Sequence, residues 1–95
     1  MIRILVVDDD PKLNQAACTY LNDCGYEAKG CLSAEAAYDA MYGGTLFDLI
    51  ISDIMMPVMD GYELVSELRS AGYQIPVLMI TAKGSFDDMR QGFLS

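Results

Sequence analysis

The 95-residue chain contains no histidine and no tryptophan, and only six lysines and arginines stand against fourteen acidic residues. The missing imidazoles argue against a zinc site. A net charge of -8 and a pI near 4.1 exclude direct binding of nucleic acid or an anionic membrane by this segment, and favour a cation or a basic partner. No apolar run is long enough to form a membrane-spanning helix. The N-terminus opens directly into an apolar segment that ends in three aspartates, unlike a signal peptide, so the expected location is cytoplasmic. Cys18, Cys24 and Cys31 form neither an even disulfide set nor a C-x-x-C pair. They read as reduced, mostly buried thiols, with a redox role for Cys24 or Cys31 as the lesser alternative.

What the chain does contain is apolar residues, at 53%, with a mean hydropathy of +0.23, which excludes disorder. A domain of this size buries roughly 60–70% of its unfolded surface, enough to fold alone but with little to spare. Ile2 to Val7 is nearly continuous in aliphatic residues and predicts a strand buried on both faces, stopping at Asp8-Asp9-Asp10. Asp10 then caps a helix with Pro11 in its first turn, and Leu13, Ala17, Tyr20, Leu21 and Cys24 recur at helical spacing up to Gly25. Tyr26 to Cys31 alternates loosely, as an edge strand does. Ser33 caps a second helix carrying Ala34, Ala37, Tyr38 and Met41, closed by Gly43-Gly44.

Leu49 to Asp53 is a second apolar strand ending in a carboxylate. A loop from Ile54 to Gly61 leads to a helix with Leu64, Val65 and Leu68, stopped at Gly72. Ile75 to Ile80 is a third apolar strand, with Pro76 near its start and Thr81 ending it. Ser85 and Asp88 resemble a capping box, predicting a fourth helix toward Ser95. Strands alternating with helices at this spacing imply right-handed crossovers and an α/β, doubly wound parallel sheet.

In such sheets the ligand sits beyond the carboxyl ends of the strands, where the strand order reverses. Asp8, Asp9, Asp53 and Thr81 all fall there. If the first and third strands are neighbours, three carboxylates share a few ångströms. Two like charges ~4 Å apart repel by ~4 kcal/mol at an effective dielectric near 20, so the cluster calls for a cation or a shared proton. Oxygen ligands without histidine point to a hard divalent ion such as Mg²⁺. Asp10 alone reads as a helix cap; two apolar strands both ending in carboxylate do not read as coincidence.

The segments Leu5 to Asp10 (LVVDDD), Ser52 to Gly61 (SDIMMPVMDG) and Met79 to Gly84 (MITAKG) together resemble the receiver domain of two-component response regulators, across the whole 95 residues. The resemblance implies a flavodoxin-like sheet of order 2-1-3-4. It implies that Asp53 accepts a phosphoryl group from a sensor histidine kinase, that Asp8 and Asp9 hold Mg²⁺, and that the backbone carbonyl of Met55 completes the ligand set. It also implies that the Thr81 hydroxyl senses the phosphoryl group. A carboxylate attacks an already anionic phosphate poorly, so positioning and charge neutralisation carry such a transfer. Phosphorylation then adds about -1.5 to -2 charge, able to draw Thr81 inward and repack the loop behind it. The implied role is a phosphorylation switch rather than a metabolic enzyme, in a parent protein that regulates transcription.

Pro57 and Gly61 read as loop-shaping, and Met55, Met56 and Met59 as packing and loop cover with a partner contact as the alternative. Ala82 is small, which suits either a tight turn or a path to the site. Receivers of this family carry, on a fifth strand, a lysine before a proline and an aromatic residue. Neither has a counterpart here, and Lys83 lies just past the fourth strand, so it does not match that lysine. The chain therefore reads as an incomplete receiver, residues 1–95, with the fifth strand missing and a weak Mg²⁺ affinity. The exposed fourth-strand edge would then favour a homodimer or exchange of elements between copies. The alternative function is a non-phosphorylatable docking or dimerisation fragment. An aspartate-nucleophile phosphatase fits poorly, since its D-x-D would sit on the first strand, whereas the best nucleophile here is on the third.

Overall fold

The computed structural model describes residues 1–80, in the order β1 (Arg3–Val7), α1 (Pro11–Asp23), β2 (Glu27–Cys31), α2 (Ala34–Tyr42), β3 (Leu49–Asp53), α3 (Gly61–Ser70) and β4 (Val77–Ile80). The helix predicted from Ser85, with Thr81, Ala82 and Lys83, lies outside the described residues. The strands form one parallel sheet in the order β2-β1-β3-β4, the flavodoxin-like order. The order reverses between β1 and β3: the chain leaves β1 toward β2 on one side, then crosses back to β3 on the other. Val7 lies in register with both Cys31 and Ser52, so the acidic loop after β1 and the end of β3 emerge side by side.

Alternation along the strands divides the core between two faces. Leu5, Val7, Ile50 and Cys31 pack with Ala34, Ala37 and Met41 of α2 and with Leu64 and Leu68 of α3. Ile4 and Val6, both buried, point the other way, toward α1. The central strands are covered on both sides, which is why their sequences are continuous rather than alternating.

The helix ends follow local chemistry. Asp10 Oδ1 accepts from the backbone N–H of Lys12 at 3.0 Å and of Leu13 at 3.4 Å, and Ser33 Oγ accepts from Ala36 N–H at 3.0 Å. Asp60 caps α3, accepting from Glu63 N–H at 2.9 Å while the Glu63 carboxylate reaches back to Asp60 N–H, a reciprocal pair absent from the sequence reading. The strands are shorter than predicted: Ile2 and Tyr26 are exposed ends, and Ile75 and Pro76 precede β4, with the Pro76 carbonyl accepting from Ile50 N–H at 3.0 Å.

The inward face of α1 differs from the predicted stripe. Leu13, Tyr20 and Cys24 are exposed, and the buried residue of this helix is Asn14. Leu13, Ala17 and Tyr20 instead form one wall of a groove of about 370 Å³, whose floor is Val6, Ile51 and Ile80. The more buried stripe joins Asn14 and Cys18, one position further along the same helical period, to Leu21 of the predicted set.

Candidate metal and phosphoryl site

The three carboxylates of the candidate site are placed by the ends of two neighbouring strands. Asp8 and Asp9 follow β1, where Asp8 N–H donates to the Cys31 carbonyl at 3.1 Å and so ties the loop to the end of β2. Asp10 N–H turns back onto Asp8 Oδ1 at 2.9 Å, which orients that carboxylate. Asp53 is the last residue of β3 and is only 2% exposed. Its Oδ1 accepts the Met55 N–H at 3.2 Å, and the next residue, Ile54, donates to the Ile80 carbonyl at 2.9 Å. One oxygen from each of Asp8, Asp9 and Asp53 lies within 4.8 Å of the others.

Three carboxylates this close repel one another by several kcal/mol per pair at an effective dielectric of ~20 unless a cation shares them. The donor set is all oxygen, with neither thiolate nor imidazole, and so could hold a hard divalent metal ion in preference to a soft one.

The sequence-predicted residues fall into three groups. Asp8, Asp9 and Asp53 converge as expected. Met55 is close by, its N–H on Asp53, while its side chain is exposed. Thr81 lies outside the described residues. Of the neighbouring methionines, Met56 is buried in the core and Met59 packs against it, as predicted for packing residues. The cysteines depart from expectation in one respect: Cys31 is buried and Cys18 half-buried, but Cys24 is exposed. Burial raises the Cys31 thiol above its ordinary pKa, with Lys29 opposing and Cys18 reinforcing that shift; burial raises Cys18 as well.

Two residues around the site carry more than the sequence indicated. Gly61 begins α3 directly against β3: a Cβ there would lie 2.7 Å from the Asp53 carbonyl oxygen and 3.2 Å from Ile54 Cα. Its N–H donates to the Ile54 carbonyl at 3.0 Å, so the helix start and the strand end are in backbone contact. The D-G pair at Asp60-Gly61 is therefore a cap followed by the residue whose lack of a side chain admits the Asp53 backbone. Asn14 is the other, its side chain reaching the backbone of the acidic loop.

A parallel doubly wound sheet with clustered carboxylates at its switch point defines a class of phosphate- and metal-handling α/β domains. Residues 4–94 match the response regulator receiver domain family, and the chain belongs to it. The transcriptional regulatory protein CiaR of Streptococcus pneumoniae is 39% identical over 98% of this chain, which spans 41% of that relative. The response regulator TrrA of Thermotoga maritima, solved in complex with Mg²⁺-BeF, superposes with a TM-score of 0.81 at 30% identity, over all of this chain and 82% of that one. A structure of histidine kinase ThkA in complex with TrrA gives a TM-score of 0.80 at 32% identity, over 90% of this chain and 73% of that one. The chain thus spans about two fifths of the length of the curated relatives it matches.

Proposed function

We propose that Asp53 is the phosphoacceptor of a two-component signalling switch, that Asp8, Asp9 and Asp53 with the Met55 carbonyl hold Mg²⁺, and that the donor is a sensor histidine kinase. The supporting observation is the convergence of three carboxylates within 4.8 Å, one of them buried at the end of β3. Mg²⁺, when bound there, supplies charge neutralisation between an anionic nucleophile and an anionic phosphate. The chain's own residues do the rest. The Met55 N–H orients the Asp53 carboxylate and the close approach of Gly61 holds its backbone, so the attacking oxygen is positioned beforehand. That oxygen bonds to phosphorus as the P–N bond of the phosphohistidine breaks; the imidazole leaves with the electron pair and an acyl phosphate remains on Asp53.

Thr81, immediately after β4, is the hydroxyl that senses the added phosphoryl group. The domain assists its own phosphorylation and dephosphorylation and is not a metabolic enzyme. In the whole protein the output is transcriptional control, in keeping with the CiaR likeness, through a part other than this acidic segment, and its location is the cytoplasm. Incubation with a small phosphodonor and Mg²⁺, read by intact mass, is expected to add one phosphoryl group. An adduct of the same yield on Asp53→Asn would overturn the assignment.

A second reading concerns self-association. Leu78 and Ile80 of β4 are 40% and 44% exposed, and β4 has a single strand neighbour among the described residues. Such an edge favours a homodimer or exchange of elements between copies. A sedimenting monomer at high concentration would remove it.

A further inference from the structure

Asn14 is 5% exposed on a helix whose other inward residues are small or apolar. Leaving a buried amide without partners costs ~1–3 kcal/mol, so its partners report why it is there. Its Nδ2 donates to the Cys31 carbonyl at 2.8 Å, the Asp8 carbonyl at 3.1 Å and the Val6 carbonyl at 3.3 Å, with the two N–H bonds shared among three acceptors. These are the end of β2, the first residue of the acidic loop and the penultimate residue of β1. The Cys31 carbonyl also receives Asp8 N–H, so Asp8 is held through its N–H by Cys31 and through its C=O by Asn14, and Asn14 is itself bonded to that same Cys31 carbonyl. The Oδ1 end of Asn14 accepts the Cys18 thiol at 3.5 Å.

Gly30 completes the arrangement. Its backbone angles are open to any residue, yet a Cβ there would overlap Asn14 Oδ1 and lie 3.0 Å from Asn14 Cγ and 3.3 Å from Cys18 Sγ. Glycine is required at this position for space and not for conformation.

We propose that Asn14, seated against Gly30, is a positioning residue that sets the backbone of Asp8 and thereby the cation affinity of the acidic cluster. The cation-affinity part rests on the Mg²⁺ reading above. The backbone part does not.

The test is calorimetric titration of Mg²⁺ into five variants, with amide hydrogen exchange of Asp8 and Asp10 in the metal-free protein. Outer contacts that orient ligands typically change affinity by ~10–100-fold, and Asn14→Ala is expected to weaken Mg²⁺ binding by about that range. Asn14→Asp keeps the shape but turns donors into acceptors facing three carbonyls, and is expected to lose at least as much. Gly30→Ala retains the amide but displaces it, with a similar loss, and in the Asn14→Ala background it should cost little more, since the space is then empty. Gly25→Ala, strained at φ +97° with nothing within 4 Å, lowers stability at the far end of α1 and should leave affinity unchanged.

Should Asn14→Ala fail to fold, Gly30→Ala alone decides. Wild-type affinity in folded Gly30→Ala, or additive losses in the double variant, would overturn the proposal. If the wild type itself binds no Mg²⁺, the metal reading fails. Faster exchange at Asp8 in the Asn14 and Gly30 variants would still uphold the backbone role, and unchanged exchange would end it.

Discussion

Replacing Gly61 by alanine sets two opposing effects against each other. The new methyl lies 2.7 Å from the Asp53 carbonyl oxygen, 3.2 Å from Ile54 Cα and 3.4 Å from the Asp53 carbonyl carbon. Carbon contacts settle at ~3.5–4.0 Å, so α3 and the end of β3 must separate by roughly half an ångström or more. All three atoms belong to backbone, and the Gly61 N–H to Ile54 carbonyl bond resists the separation, so no side chain can swing aside. Overpacking of this kind costs ~1–3 kcal/mol. Alanine returns ~0.4–1 kcal/mol through the unfolded chain, because the φ of Gly61 is not in the left-handed region. The net expectation is a loss of ~1–2 kcal/mol, and with ~4–8 °C per kcal/mol for a domain of this size, a clear fall in melting temperature.

The same displacement moves the Asp53 carboxylate. As a 1 Å misplacement can cost ~100-fold in rate, half of that predicts roughly a tenfold slower acquisition of phosphate from a small donor. Urea unfolding and a phosphorylation time course measure the two effects. Gly25→Ala is the control, equal in chemistry, but strained only by its φ of +97° and remote from Asp53. A Gly61→Ala protein as stable as wild type and equally quick to phosphorylate would refute the steric reasoning.

Further outcomes are expected elsewhere in the fold. Val58 has φ +70° and sits in a three-residue turn closed by Met59 N–H on the Pro57 carbonyl at 2.8 Å, while its side chain is 99% exposed. Positive φ costs a residue with a Cβ ~1–2 kcal/mol and the flexibility of glycine offsets ~0.5–1, so Val58→Gly should gain up to ~1.5 kcal/mol in urea unfolding; a loss would mean the turn is not strained. A maleimide at mildly alkaline pH should label exposed Cys24 first and Cys31 last, read by intact mass, since burial raises the Cys31 thiol. Because that folded pKa stands above the unfolded one, the unfolded chain ionises first. Stability should therefore be held below about the ordinary value of 9.0 and fall as pH rises beyond it, and Cys31→Val should flatten the decline.

Patterns along the chain were enough for much of the fold. Continuous aliphatic runs marked β1, β3 and β4 because central parallel strands have no wet face to encode. Asp10 and Ser33 announced helix starts because a cap is a contact between residues two or three apart. The Asp60–Glu63 box was equally local and was legible in principle. The inward face of α1 was harder: of the predicted Leu13, Ala17, Tyr20, Leu21 and Cys24, only Ala17 and Leu21 are half-buried, and hydrophobicity alone passed over Asn14 and Cys18, which share the same period.

The roles of the acidic residues divide in the same way. The sequence by itself determined the alternation of strand and helix and the identity of the carboxylates, because each follows from local periodicity and residue chemistry, while the receiver class rested on the likeness of its motifs to a known family. Only the tertiary structure decided that Asp8, Asp9 and Asp53 approach within 4.8 Å, that Gly61 must be small because of Asp53, and that Gly30 must be small because of Asn14. Those facts depend on the crossover that sets β3 beside β1, and on packing distances between segments far apart in the chain, which no pattern along one strand can record.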